Sequence, residues 1–210
     1  MSLFKSRFKY YLRASALLAL FGIICVNFGS LSVSAQNKAS EQDRRNARVQ
    51  ATYITRLVKF IRWDGNSSKE DESFKIVILG NENLGFVNSL DFLVEQSNLS
   101  VEGHAVEVVH FPNSKFEQAL KFISNGVHFI YFTNDCKYSL NDVLPVRNGA
   151  LFIAEGRDFV VSKKGCIAFE RSRNRIKLVV NETCFRRKFA KVNPVLTSLK
   201  SVVEVVKPKG

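Results

Sequence analysis

The sequence predicts an α/β fold: a mostly parallel sheet flanked by helices, with a C-terminal antiparallel β-hairpin. Three observations predict it. Strand-like and helix-like segments alternate through residues 45–153. One of them, Val127-His128-Phe129-Ile130-Tyr131-Phe132, is apolar almost without a break, as in a parallel strand covered on both faces. Residues 159–170 and 175–180 then flank Arg171-Ser172-Arg173-Asn174, the pattern of a hairpin.

Residues 1–35 read as a cleaved secretory signal. Lys5, Arg7, Lys9 and Arg13 make a basic start, residues 14–29 are largely apolar, and Val33-Ser34-Ala35 supplies short residues for cleavage after Ala35. The apolar run is shorter than the ~20 residues of a spanning helix. No later run is long enough either, so a soluble product in the periplasm is expected. Residues 36–44 are polar and read as a flexible lead, and 45–206 as one domain.

The first helix is expected over residues 45–61. Val49, Tyr53, Ile54, Leu57, Val58 and Ile61 recur at steps of three and four and make one apolar stripe. Arg45, Arg48, Arg56, Lys59 and Arg62 fall largely on the remaining surface. Residues 64–73 contain no apolar residue and read as a solvated loop before a strand at 74–79. Leu84, Val87, Leu90, Leu93 and Val94 give a second helix its stripe. A strand over residues 101–110 follows, and Pro112-Asn113-Ser114 breaks it with capping potential. Phe116, Leu120 and Ile123 mark a short helix stopped by Asn125-Gly126. After the apolar strand, Leu140, Val143 and Leu144 mark another short helix, and residues 150–153 a short strand.

In the hairpin, Ile167 and Phe169 share a face while Cys166, Ala168 and Glu170 point the other way, which puts Cys166 on the more polar side. The tail, residues 182–206, is mostly helical in pattern, with Pro194 opening its last helix.

The whole chain has a formal charge of +12. The signal takes four of the 31 Lys and Arg and none of the 19 Asp and Glu, leaving about +8. An exported protein does not meet a chromosome, so nucleic acid is not the expected partner. Anionic head groups, cell-wall polymer or an acidic protein face fit better. Arg186, Arg187, Lys188 and Lys191, with Arg48, Arg56, Lys59 and Arg62, form the candidate partner- or anion-facing set. A solvated basic surface is the plain alternative.

Three cysteines lie beyond the signal: Cys136, Cys166 and Cys184. An oxidising compartment lets one internal disulfide persist, in any of three pairings. No Gly-x-Ser-x-Gly elbow and no His-Glu-x-x-His helix occurs. His104, His110 and His128 lie in or beside strands without partners at metal spacing, so no cofactor and no metal is expected. Gly80 and Gly85 are spaced as in a phosphate loop, but the Lys-Ser/Thr that loop needs is absent. In open parallel sheets, ligands gather beyond the C-terminal ends of the strands. That rim would carry Gly80, Asn81, Glu82, Asn83, Thr133, Asn134, Asp135, Glu155 and Gly156, which also read as ordinary turn residues.

Four blocks, taken in order, resemble the YfiR family of periplasmic proteins. They are Ala51-Thr52-Tyr53-Ile54 with Lys59-Phe60-Ile61-Arg62-Trp63; residues 74–80; residues 128–133; and residues 150–159 with 164–170 and 176–181. The resemblance spans residues 45–206. It implies regulation without catalysis: binding to the periplasmic sensor part of an inner-membrane diguanylate cyclase, which is held inactive so that cyclic-di-GMP and biofilm formation fall. It further implies an OmpA-like outer-membrane lipoprotein as a sequestering partner, and a homodimer. Other members stand beside sensor kinases, so a small-ligand sensor partnering a membrane histidine kinase is the alternative. Cys136, Cys166 and Cys184 do not fall where the family's cysteines align, and their pairing stays open.

Overall fold

The computed structural model describes residues 40–63, 73–146, 150–172, 175–187 and 190–207. The expected signal, most of the 64–73 loop, Arg173, Asn174 and Lys188 lie outside those residues. Among the described residues no helix is long and apolar enough to cross a membrane.

Helix α1, Glu41–Phe60, starts four residues earlier than the apolar stripe indicates. The reason is local: the Ser40 hydroxyl caps it, accepting from the Asp43 N–H at 3.1 Å, and Glu41 and Asp43 sit in the positively polarised first turn. The helix buries Ala47, Gln50, Ala51, Ile54, Leu57 and Val58. Val49, expected in the stripe, is 43% exposed, and the small Ala47 and the polar Gln50 hold the buried face instead.

The main sheet has eight strands: β2 (Phe74–Leu79), β3 (Ser100–Val101), β4 (His104–Phe111), β5 (Phe129–Phe132), β6 (Leu151–Glu155), β7 (Ile167–Ser172), β8 (Arg175–Asn181) and β10 (Val203–Val206). Their order is β10-β8-β7-β6-β5-β2-β4-β3. The β2–β4, β2–β5, β5–β6, β6–β7 and β8–β10 pairs are parallel; β7–β8 and β3–β4 are antiparallel. The mostly parallel sheet with its late antiparallel hairpin is therefore the expected fold. Two further strands, β1 (Ile61–Trp63) and β9 (Ala190–Val192), make a separate antiparallel ribbon.

Helices cover both faces. Helix α1 packs on α2 (Phe86–Gln96), and on this side Phe86 of α2 stacks on Tyr131 of β5 at 4.5 Å while Tyr53 lies 6.2 Å from Phe169 of β7. Helix α3 (Phe116–Ser124) lies against β2 and β4, where Phe122 meets Phe111 at 5.5 Å. A one-turn α4 (Leu140–Val143) carries a capping box between Ser139 and Asp142. Phe129, Phe152, Phe169, Ile76, Ile78 and Ile130 are almost wholly buried, each worth roughly 1.5–3 kcal/mol of burial before entropy is counted.

The structure corrects four local expectations. The 101–110 strand is two strands, because Glu102 (φ 52°) and Gly103 (φ 90°) turn the chain between β3 and β4. The first part of the 159–170 segment is helical: α5, Asp158–Val161, follows a turn at Gly156. Cys166 is not on a polar face. It and Ala168 are fully buried, because α5 covers that side of β7 and β8. The tail is not mostly helical. It runs α6 (Glu182–Arg187), β9, α7 (Pro194–Ser198), then β10, which returns to lie parallel to β8. Pro194 does open α7, with the Asn193 side chain accepting from the Val195 N–H at 3.0 Å.

Candidate functional site

The parallel strands end together. Leu79 of β2 stands beside Phe132 of β5, and Phe132 beside Ala154 of β6, so Gly80, Thr133 and Glu155 form the next row. Gly80 has φ 105° and no room for a side chain: a Cβ there would lie 2.2 Å from Thr133 Oγ1 and 2.7 Å from Cys136 Cβ. Its carbonyl accepts from His110 Nε2 at 2.7 Å, which places the imidazole proton on that nitrogen. The loops after β2, β4 and β5 are laced by Asn113. Its N–H donates to Asn81 Oδ1 at 3.2 Å, its side-chain amide donates to the Asp135 carbonyl at 2.8 Å, and its Oδ1 accepts from the Lys137 N–H at 3.0 Å. Glu82 accepts from the Leu84 N–H at 2.6 Å, closing its own turn. Asn83, Asn134 and Asp135 are exposed. Gly156 (φ 84°) donates its N–H to the Phe169 carbonyl at 2.9 Å. Asn81, Glu82 and the Asp135 carbonyl thus hold the rim's loops in place, while Thr133 Oγ1 is buried with no hydrogen-bond partner among the described residues.

Behind Glu155 a polar network links α1 to the sheet. The Tyr131 hydroxyl, 2% exposed as a residue, donates to Gln50 Oε1 at 3.2 Å, and Gln50 Nε2 has no hydrogen-bond partner among the described residues. Burial first, then the Glu155 charge, pushes the Tyr131 phenol well above its ordinary range, so it remains a neutral donor. Arg171 of β7 bridges Asp43 at 2.6 Å and Glu155 at 3.2 Å. Hydrogen bonds from Ser40 and then Arg171 hold the Asp43 carboxyl below its usual range. On the other flank, Arg157 makes a two-pronged bond to Glu204 of β10 and reaches Glu170 of β7 at 3.4 Å, clamping the edge strand.

A groove of about 410 Å³ opens between α1, β8, α7 and β10. Leu57, Phe60, Leu178, Leu196, Leu199, Val202 and Val203 line it, with Tyr53, Arg56 and Lys59 from α1. The Tyr53 hydroxyl is already committed to the Ile176 carbonyl at 3.3 Å. Arg56 and Lys59 are exposed, and neither makes an ion pair with a described residue.

The proposed cationic set separates in space. Arg48 is bonded to Glu41 at 3.3 Å and lies about 12 Å of helix rise from Arg56. Arg56, Lys59 and Arg62 follow one another into β1, and there Arg62 stands opposite Lys191 of β9. Arg186 and Arg187 close α6. Four cations, Arg56, Lys59, Arg62 and Lys191, therefore gather where α1 ends.

Cys166 and Cys184 form a disulfide with Cα atoms 5.3 Å apart, which leaves Cys136 as the free thiol among the described residues. Burial pushes the Cys136 thiol above its ordinary value. Among the described residues no three His, Cys, Asp or Glu side chains come together as a metal site. His128 Nδ1 accepts from the Lys75 N–H at 3.1 Å, and its ring stacks on Phe74 at 4.3 Å.

Sequence reasoning missed Asn113 as a tie between loops, Gln50 as a buried polar contact, and the whole groove. The first had a signal, since an asparagine after a proline at a strand end is a frequent side-chain bonder to backbone. The groove had none, because its far wall depends on how the tail returns to the sheet.

The family described as YfiR/HmsC-like matches residues 47–200, and the chain belongs to it. No curated protein gives a significant match.

Proposed function

We propose that this YfiR/HmsC-like protein is a non-enzymatic periplasmic regulator, matured by cleavage near Ala35. It binds the periplasmic sensor part of an inner-membrane signalling protein. Its target in this reading is a diguanylate cyclase, whose cyclic-di-GMP output it lowers. The family match over residues 47–200 carries the proposal. The cations at the end of α1 supply a face suited to an acidic partner surface or to anionic head groups beside it. An OmpA-like outer-membrane lipoprotein and a homodimer complete the assembly in this reading. Deleting the gene should raise cyclic-di-GMP and biofilm. A wild-type copy should restore both, and a copy with Arg56, Lys59 and Arg62 changed to Glu should not. Unchanged cyclic-di-GMP in the deletion strain would refute the proposal.

A second reading, a small-ligand sensor working with a membrane histidine kinase, is favoured by one observation. Gln50 Nε2 and Thr133 Oγ1 are buried near the sheet's C-terminal rim without hydrogen bonds, and a ligand on Gly80, Asn81, Glu82, Asn83, Thr133, Asn134, Asp135, Glu155 and Gly156 could use them. Thermal-shift screening with nucleotides, amino acids and wall fragments separates the readings. A ligand shift lost on Thr133→Val substitution supports the sensor, and no shift from any of them supports the partner-only regulator.

A further inference from the structure

The groove between α1, α7, β8 and β10 has two chemically distinct parts. One part is hydrocarbon, supplied by Leu57, Leu178, Leu196, Val202 and Val203, with no carboxylate among the described residues that line it. Leu199 on its lip stays 43% exposed, apolar surface that burial would stabilise at about 25 cal/mol per Å². At the α1 side stand Arg56 and Lys59, about 4.5 Å apart along the helix axis and without ion pairs among the described residues.

The volume, about 410 Å³, lies in the range of small-molecule sites. A purely apolar ligand would leave both cations unused. A nucleotide would press polar atoms against leucine and valine without returning their hydrogen bonds. A peptide helix or a two-chain lipid exceeds the space. One apolar tail with one anionic head matches both parts together.

We propose that this groove binds a free single-chain anionic amphiphile, a fatty-acid-like carboxylate. The tail lies on Leu57, Leu178, Leu196 and Val203, and the carboxylate sits between Arg56 and Lys59. The assignment rests on the groove's own lining; it shares Arg56 and Lys59 with the proposed partner-facing surface, and direct titration with an amphiphile reads it apart from cyclic-di-GMP output.

The test is calorimetric titration of the exported, leader-free protein with dodecanoate below its micellar concentration. Saturable one-to-one binding is expected. The Arg56→Gln, Lys59→Gln double variant, altered only at exposed positions, should bind at least tenfold more weakly with an unchanged melting temperature. Leu199→Gln should weaken the tail contact, and dodecyltrimethylammonium, the same tail with a cationic head, should not bind. Non-saturating heats, equal binding of the cationic amphiphile, or unchanged affinity in the double variant would overturn the proposal. So would capture by anionic phospholipid vesicles without any binding of dodecanoate, since that places the ligand in a membrane rather than free.

Discussion

Arg62 and Lys191 stand directly opposite each other on the antiparallel ribbon formed by β1 and β9. Like charges at directly opposed sheet positions are destabilising. The ribbon, three residue pairs long, sets these two cationic residues opposite each other beside the last turn of α1. Arg62→Glu should therefore act in two directions. It should stabilise the ribbon by about 0.5 kcal/mol, the scale of a cross-strand charge pair, and it should weaken capture of the membrane partner. Thermal melts and a pull-down on the same protein check the two effects; loss of both stability and capture would point to a structural role for Arg62.

The Cys166–Cys184 disulfide closes an 18-residue separation from the start of β7, through β8, to α6. A loop of this size constrains the unfolded chain by about 3 kcal/mol. Cys166→Ala with Cys184→Ala, or reduction, should lower the melting temperature by roughly 6–12 °C for a domain of this length. Alkylation of the native protein should label Cys136 alone, and slowly, because burial raises its thiol pKa. Denaturant titration with and without reductant, followed by mass mapping of labelled cysteines, tests both statements.

Gly80 and Gly126 share the same backbone angle, φ 105°, but not the same surroundings. Nothing lies within 4 Å of a Cβ built on Gly126, whereas one on Gly80 runs into Thr133 and the backbone of Cys136. Gly126→Ala should cost about 1–2 kcal/mol from backbone strain alone. Gly80→Ala should cost about 3 kcal/mol or more, because the clash adds to the strain. Equilibrium unfolding of the two variants side by side measures the difference, and equal losses would contradict the crowding at Gly80.

The Arg157 clamp gives stability a pH dependence of definite sign. Hydrogen bonds from Arg157 hold the Glu204 carboxyl below its ordinary value of 4.5. Such a group contributes stability above the unfolded pKa and loses it as pH falls through the folded one. Arg157→Met should thus be less stable than the parent at pH 6 to 7, and the gap should close as the solution is acidified below about pH 4. The pairs are part-exposed and screened, so the gap should also shrink in high salt. Unfolding curves across pH, at low and high salt, measure it.

The parts legible in the sequence were those where one physical signal acts alone. Ile54, Leu57 and Val58 repeat at helical spacing and are buried as expected; residues 127–132 read as a doubly covered strand, and 129–132 of them form one. Pro194 marked a helix start because its fixed φ suits the first turn. The tail misled because Leu196, Leu199, Val202 and Val203 satisfy a helical period while spanning α7, the turn after it and β10, and short apolar runs do not separate strand from helix by spacing. Alternation put Cys166 on a polar face because it cannot register that α5 covers the second side of the sheet. The disulfide needed coordinates, since three cysteines allow three pairings. Among the candidate residues, Gly80, Thr133 and Glu155 fall in one row because parallel strands end in register. The groove was illegible for the same reason as the tail that walls it.

The Gln50–Tyr131 contact governs more than one hydrogen bond. An amide locked beneath a helix acts as a rotational stop: rolling α1 about its long axis would strand the Tyr131 hydroxyl in a dry interior. The compass bearing of Arg56 and Lys59 is therefore fixed from the opposite side of the same cylinder, by a residue neither of them touches. With the buried apolar face of α1, the Tyr53–Ile176 hydrogen bond and the Arg171–Asp43 bridge, this polar pin helps set the aim of the charged flank.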